Sequence, residues 1–543
     1  MNPYFKKGGS DMKRITKEEA ARLIDSGMTV AFGGIGSYGA PETMLQAIAD
    51  RYDAEQMPKD LTIAGTISPG NNSRDNVGFN RIAKKGLIDT IIAAHFMIPQ
   101  LIAEMIGNNE VAAYPIPFGV MMHLFDAIAS NKPALVTNVG LRTFVDPRLE
   151  GCKANQKTID QHREVVELVN IGGKETLAYK TFKIDACVIR AYASDETGNL
   201  SVEHSAIGDT GFDIAAATHN SGGIVIAEVK TVVKDGTLDP HRVKIPASLV
   251  DYVVVADEGM YSQGYAADFR PELSGEIKVP VDGLKPMAMS NRKIIARRGA
   301  MELTKGCVIN LGIGIPSGIG SVAGEEGISA TLSVEYGALG GVPVEGVGFG
   351  AAANPEAILD VSDVFQLYDG GFLSKTFLGF AEADMNGNVN SSKFGTRVTG
   401  PGGFIDISQN TKEVCFVGTF TAGGLKEEVR DGKLVILQEG RERKFLNKVQ
   451  QVTFSGDYAN EQGQKIMFIT ERAVFQLTAD GLVLTEIAPG VDLEKDILSQ
   501  MDFKPIISKD LKLMDEAIFK DEPMGLSRLL SVVPDNDADE KTA

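Results

Sequence analysis

Ser333-Val334-Glu335-Tyr336-Gly337-Ala338-Leu339-Gly340-Gly341-Val342-Pro343 carries a carboxylate at the point where an apolar run breaks into a glycine-rich turn. The run, Ile328 to Val334, predicts a buried strand. A glutamate at a strand's carboxyl end faces the crevice where open α/β sheets hold their ligands. Glycines around it let backbone N–H groups approach whatever the carboxylate touches. Such a carboxylate can serve as a covalent nucleophile. On a thioester, its attack gives a mixed anhydride and frees a thiolate, which can return to form an enzyme thioester. Backbone N–H groups would stabilise each tetrahedral oxyanion, and water must be kept out. The alternative is a solvated strand-end acid followed by an ordinary turn.

Other chemistries find less support. Gly34-Ile35-Gly36-Ser37-Tyr38-Gly39 fits G-x-G-x-x-G, but the following strand, Leu61 to Ala64, ends without the acid a dinucleotide ribose requires. After Gly312-Ile313-Gly314 the acid is suitably placed, as Glu335, but the third glycine is missing from its standard position. No P-loop lysine motif is present. The histidines His95, His123, His162, His204, His219 and His241 form no i, i+4 pair, and each reads as structural or surface. Cys152, Cys187, Cys307 and Cys415 lack metal-type spacing and read as free, buried thiols of a reducing compartment.

The 543 residues are too many for one core. A net charge of −18 argues against non-specific nucleic-acid or anionic-membrane binding. No segment approaches the roughly 18 apolar residues of a membrane span, and no secretory signal follows Met1, so a soluble cytoplasmic protein is expected.

The elements that position the candidate residues occur twice. A helix from Lys17 to Asp25 capped by Thr16, a strand from Thr29 to Phe32, a glycine loop, and a helix from Pro41-Glu42 to about Asp50 form the first set. A helix from Arg292 to Lys305, a strand from Cys307 to Leu311, the loop Gly312 to Gly318 and a further helix form the second. Tyr192 to Leu200 is echoed by Phe380 to Val389, and Gly211-Phe212-Asp213 by Gly403-Phe404-Ile405-Asp406. Two matching blocks in one order indicate a duplicated, mainly parallel α/β frame.

These motifs resemble the family I CoA-transferases of the short-chain acyl type. The resemblance rests on Glu335 with its glycine turn, Gly33 to Glu42, Asn310 to Pro316, and Gly400 to Asp406. It implies two tandem CoA-transferase-type open α/β domains fused in one chain. Residues 12–272 would form the first, 273–290 a linker, 291–526 the second, and 527–543 a disordered acidic tail. It also implies transfer of CoA between a short-chain acyl-CoA and an acid of the acetate, propionate or butyrate type, by ping-pong through a γ-glutamyl-CoA thioester. Glu335 would be the nucleophile, Gly312, Ile313, Gly314, Gly402 and Gly403 the CoA and oxyanion residues, and Gly36, Ser37, Tyr38 and Phe118 the substrate pocket. No cofactor would be held permanently, CoA being substrate and covalent intermediate, and the protein would be a homo-oligomer, dimer or tetramer. Phe118 stands where relatives commonly carry Gln, so it is expected to shape the choice of acyl group. Lys375, Lys393, Arg397 and Lys426 lie in the half that would bind the CoA phosphates. Two readings compete: an acyl-CoA hydrolase on the same fold, and a dinucleotide-binding α/β protein.

Overall fold

Eight parallel strands make the main path of the first sheet, in the spatial order Lys13–Arg14, Tyr252–Val255, Ile224–Val233, Ala186–Asp195, Thr29–Phe32, Leu61–Ala64, Ile88–Ala93 and Ala112–Pro115. The computed structural model describes residues 13–280 and 287–526. The expected acidic tail, the first twelve residues and the middle of the expected linker therefore lie outside the described residues. The strand order runs outward in both directions from the pair Thr29–Phe32 and Ala186–Asp195, except that the first strand, Lys13–Arg14, closes one edge.

The second sheet is mixed. Thr331–Ser333, Val308–Leu311, Lys375–Gly379, Glu413–Val417 and Lys465–Ile469 form a parallel centre. Antiparallel strands flank it, Ala338–Leu339 and Ala357–Ile358 on one side and Ala473–Thr478 and Gly481–Ile487 on the other. Its order reverses between Val308–Leu311 and Lys375–Gly379. The alternation of elements thus predicts the first sheet well and misses the antiparallel flanks of the second.

Local signals act as their chemistry dictates. Thr16 caps the helix Lys17–Arg22 in a reciprocal box with Glu19. The next helix runs past Asp50 to Glu55, where Gln56 takes a left-handed conformation. The repeat is visible as one turn built twice. Asp195 Oδ1 accepts the Asn199 N–H at 2.9 Å and Oδ2 accepts Asn199 Nδ2 at 2.8 Å; Asp384 treats Asn388 alike at 3.1 and 3.0 Å. One hydrophobic cluster crosses from half to half, joining Ile35, Tyr38, Phe118 and Ile207 to Tyr336, Phe365 and Tyr368. Among the described residues no helix is long and apolar enough to cross a membrane.

Candidate active site

Glu335 lies two residues beyond its strand, which keeps only Thr331–Ser333 of the expected run. The Val334 N–H donates to the Ala338 carbonyl at 2.8 Å and the Gly337 N–H to the Val334 carbonyl at 3.0 Å, so Glu335, Tyr336 and Gly337 form the tip of a tight hairpin. Gly337 is needed there: its φ is 123°, and a Cβ would stand 2.5 Å from the Leu359 carbonyl oxygen. The Gly208 N–H, from the first half, donates to the Tyr336 carbonyl at 2.7 Å, and the Leu359 N–H donates to the Gly337 carbonyl at 3.0 Å. The tip is held from both halves.

The Glu335 side chain is half-buried and receives one side-chain hydrogen bond, from Asn310 Nδ2 at 3.3 Å. Burial pushes its carboxyl above the usual carboxylate range, while its own N–H and Asn310 pull the other way. Asn310 ends in a buried position on Val308–Leu311, donates to the Ser333 carbonyl at 3.1 Å, and accepts from Thr376 Oγ1 at 3.4 Å. Asn310 belongs to a glycine-loop motif, but its bond to a carboxylate 25 positions away has no local signature.

Gly312, Ile313 and Gly314 follow that same strand, at the carboxyl ends where the sheet order reverses. Ile313 is 65% exposed, and no atom lies within 4 Å of where a Gly314 Cβ would be, so this loop is open to a ligand. Gly402 is different. Its N–H donates to the Ala94 carbonyl at 2.9 Å and its carbonyl accepts the Phe118 N–H at 2.9 Å, so its peptide is committed to joining the halves rather than free as an oxyanion donor. A Cβ on Gly403 would come within 3.3 Å of Ile407 and 3.4 Å of Phe365, which places that glycine against the shared core.

The four expected pocket residues also meet at the interface. Gly36, with φ 55°, presses so closely on Tyr336 that a Cβ would lie 2.8 Å from its hydroxyl. Ser37 Oγ donates to the Gly70 carbonyl at 3.4 Å, and the Tyr38 hydroxyl donates to the Gly348 carbonyl at 2.6 Å. Phe118 is fully buried, edge-on to Phe365 at 4.7 Å and to Tyr336 at 6.0 Å. It presents no surface to an acyl chain, contrary to the expectation of a pocket wall, and its influence on Glu335 runs through the neighbouring tyrosine. Replacing Phe118 by Gln buries an amide among rings and forfeits two edge-on pairs worth about 0.5–1.5 kcal/mol each. The expected outcome is a lower melting temperature with kcat/KM for acetate and butyrate falling together. A shift in their ratio of about 3-fold or more would return Phe118 to the acyl pocket.

Of the four basic residues, Lys375 opens its strand at the end away from these loops and pairs with Glu413 at 2.8 Å, so it does not face them. His95 is kept neutral by burial, which pushes its imidazole down to about 4, in line with a structural part. The dinucleotide reading fails on geometry as well. The Glu228 carboxyl accepts the Met44 N–H at 2.9 Å, occupying the helix N-terminus after the first glycine loop, where a pyrophosphate would sit.

Comparison with known proteins bears on the whole frame. A family model described as Coenzyme A transferase matches residues 14–256. The caffeate CoA-transferase of Acetobacterium woodii is 43% identical over 526 residues, spanning 95% of this chain and 99% of that protein. The chain belongs to the coenzyme A transferase family. The acetate CoA-transferase YdiF of Escherichia coli K12 is 42% identical to this CoA-transferase over 515 residues, 94% of this chain and 96% of that one. The crystal structure of the YdiF apoenzyme from E. coli O157:H7 superposes with a TM-score of 0.90 at 41% identity, covering 95% of this chain and 98% of that chain. A second YdiF structure, a thioester complex with CoA, gives 0.88.

For this CoA-transferase, Asn310→Leu tests the setting of Glu335. Losing a hydrogen bond to a charged group costs about 1.5–3 kcal/mol, so kcat should fall by about 10- to 100-fold. If the ionised carboxylate is the reacting form, activity is lost as pH falls through its raised pKa. Removing Asn310, which holds that value down, should move the acid limb of the kcat–pH profile to higher pH. An unmoved limb would show that Asn310 does not act on Glu335.

Proposed function

We propose that this enzyme transfers CoA between a short-chain acyl-CoA and a carboxylic acid of the acetate, propionate or butyrate type, with Glu335 as nucleophile. The observation that carries this is the half-buried Glu335 carboxyl, bonded by Asn310, at the same sheet end as the open loop Gly312–Gly314. A Glu335 oxygen attacks the acyl carbonyl carbon, the carbon–sulfur bond breaks, and CoA leaves as thiolate. The thiolate then attacks the γ-carbonyl of the mixed anhydride, releasing the first acid as its carboxylate and leaving CoA on Glu335. The second acid reverses both steps and departs as its CoA ester.

The backbone N–H groups of Ile313 and Gly314 are the candidates for steadying the oxyanions, the Gly312 N–H being taken by the Phe377 carbonyl, and the exposed Ile313 side chain is the candidate for contact with the CoA arm. A small acyl group follows from the resemblance of the Glu335, Gly33–Glu42, Asn310–Pro316 and Gly400–Asp406 motifs to the short-chain CoA-transferases. Relatives named for acetate and for caffeate are similar to nearly the same degree, so the choice of acid follows that resemblance and is decided by the acceptor assay. CoA is substrate and transient covalent partner, with no permanent cofactor in the scheme. A homo-oligomer in the cytoplasm completes the proposal; four free buried cysteines suit a reducing compartment.

Incubation with propionyl-CoA, with and without acetate, tests it. Acetyl-CoA should form, and propionyl-CoA should be consumed in turnover, only when acetate is present. Consumption at the same rate without acetate would make the protein a hydrolase.

A further inference from the structure

The duplicated frame has two places where strand order reverses, and the proposed chemistry uses one. At the other, between Thr29–Phe32 and Ala186–Asp195, lies a cavity of about 220 Å³. Phe32 is level with Val188, so Arg190, Ala191 and Tyr192 continue past the end of the shorter strand and leave the space above it open. This is where open α/β sheets hold ligands. Gly33 and Gly34 bring backbone to its edge. Glu335 is not among its lining residues.

Its walls are aromatic and already set in edge-on contact. Tyr192 meets His204 at 4.4 Å and Tyr261 at 6.3 Å, and His204 meets Phe269 at 5.3 Å. Phe269 is 46% exposed and borders the open side of the cavity. The charged groups are unequally engaged. Arg190 lies over the Tyr261 ring and donates to the Ala40 and Ser262 carbonyls, Glu203 pairs with Arg242 at 3.3 Å, and Asp209 accepts the Gly211 and Phe212 N–H groups at 3.0 Å each. Exposed Asp268 also borders the space. The exposed Lys230 ammonium stands 5.7 Å from the centres of both Tyr192 and Tyr261, with no carboxylate partner among the described residues.

We propose that this cavity is a second ligand site, for a planar aromatic ring carrying an anionic group, with the ring against the aromatic wall of Tyr192, His204, Tyr261 and Phe269 and the anion on Lys230. Two sources share that chemistry: a free aryl carboxylate, and the adenine–phosphate end of a nucleotide such as CoA. Gly208 also borders the cavity, and its N–H holds the Tyr336 carbonyl, so the occupant would sit one hydrogen bond from the peptide beside Glu335.

Calorimetric titration of the whole protein with cinnamate, adenosine 3′,5′-bisphosphate and acetate tests the site. Cinnamate or the bisphosphate should bind saturably, and whichever binds names the source. Phe269→Ala should weaken that binding about 10-fold and Lys230→Ala about 5-fold. Both side chains are exposed, so both variants should keep the melting temperature of the parent; if the bisphosphate is the ligand, KM for acyl-CoA should rise by the same factors, and if cinnamate is, KM for acyl-CoA should stay at the parent value. If neither aromatic probe binds, or if binding is the same in both variants, the site is not there. Acetate binding weakened by the same factors would remove the ring from the proposal.

Discussion

Glu335→Gln should abolish CoA transfer, with a loss of at least about 10⁴-fold, the scale on which removal of an enzyme nucleophile is felt. The amide has nearly the same shape, and its oxygen can still accept the Asn310 Nδ2 hydrogen, so the hairpin should fold as before. What it lacks is an anionic oxygen able to open a thioester. Glu335→Asp keeps the charge on a shorter arm. A misplacement of about 1 Å is worth roughly 100-fold, so this variant should retain more activity than the amide and far less than the parent. Mass analysis identifies the residue directly. Held with an acyl-CoA and no acceptor acid, the parent should gain CoA on the peptide containing Glu335, and borohydride should then inactivate it by reducing the thioester. CoA found on another peptide, or an unmodified Glu335 peptide in a turning-over enzyme, would sink the mechanism.

Much of this frame is legible in local chemistry. The strands Thr29–Phe32 and Leu61–Ala64 have the bounds that their apolar runs and flanking glycines indicate. The repeated Asp-x-x-x-Asn turn shows in the sequence because its hydrogen bonds run between residues four apart. Glu335 is conspicuous because a carboxylate interrupts an apolar run. Harder to see is anything decided between the halves. Phe118, Gly36 and Tyr38 have the residue types of a pocket, yet the second half buries them around Tyr336, across more than two hundred positions of chain. Gly402 reads as a free glycine loop, but its peptide is taken up by Ala94 and Phe118. A sequence pattern tells which backbone is permissive and not which partner arrives to use it. For the same reason the aromatic wall of Tyr192, Tyr261 and Phe269 has no shared local signature, although Gly33 and Gly34 at its edge belong to a glycine motif: the rings come from a strand and a loop that meet only after folding.

Gly208→Ala should lower kcat by about 100-fold while leaving KM for acyl-CoA near that of the parent. A Cβ at Gly208 would stand 2.0 Å from the Leu359 carbonyl oxygen and 3.1 Å from both Leu359 C and Val361 N. These are backbone atoms, so no flexible side chain can yield, and either the Gly208 loop or the Leu359 segment must move. Both grip the hairpin, through Gly208 N–H to the Tyr336 carbonyl and Leu359 N–H to the Gly337 carbonyl. Whichever gives way, the tip carrying Glu335 shifts, and about 1 Å suffices for the loss. The loop Gly312–Gly314 is held separately, by the Gly312 N–H on the Phe377 carbonyl at 2.8 Å, which is why binding should be spared. General destabilisation is distinguished by Gly173→Ala, at a φ of 84° with no atom within 4 Å. That change strains the backbone by about 1 kcal/mol and should leave kcat unchanged. Slow formation of the Glu335–CoA adduct in folded Gly208→Ala, matched to its kcat, would show that the first half positions the nucleophile. Parent-like kcat in that variant would mean the hairpin keeps its geometry without the bond from Gly208.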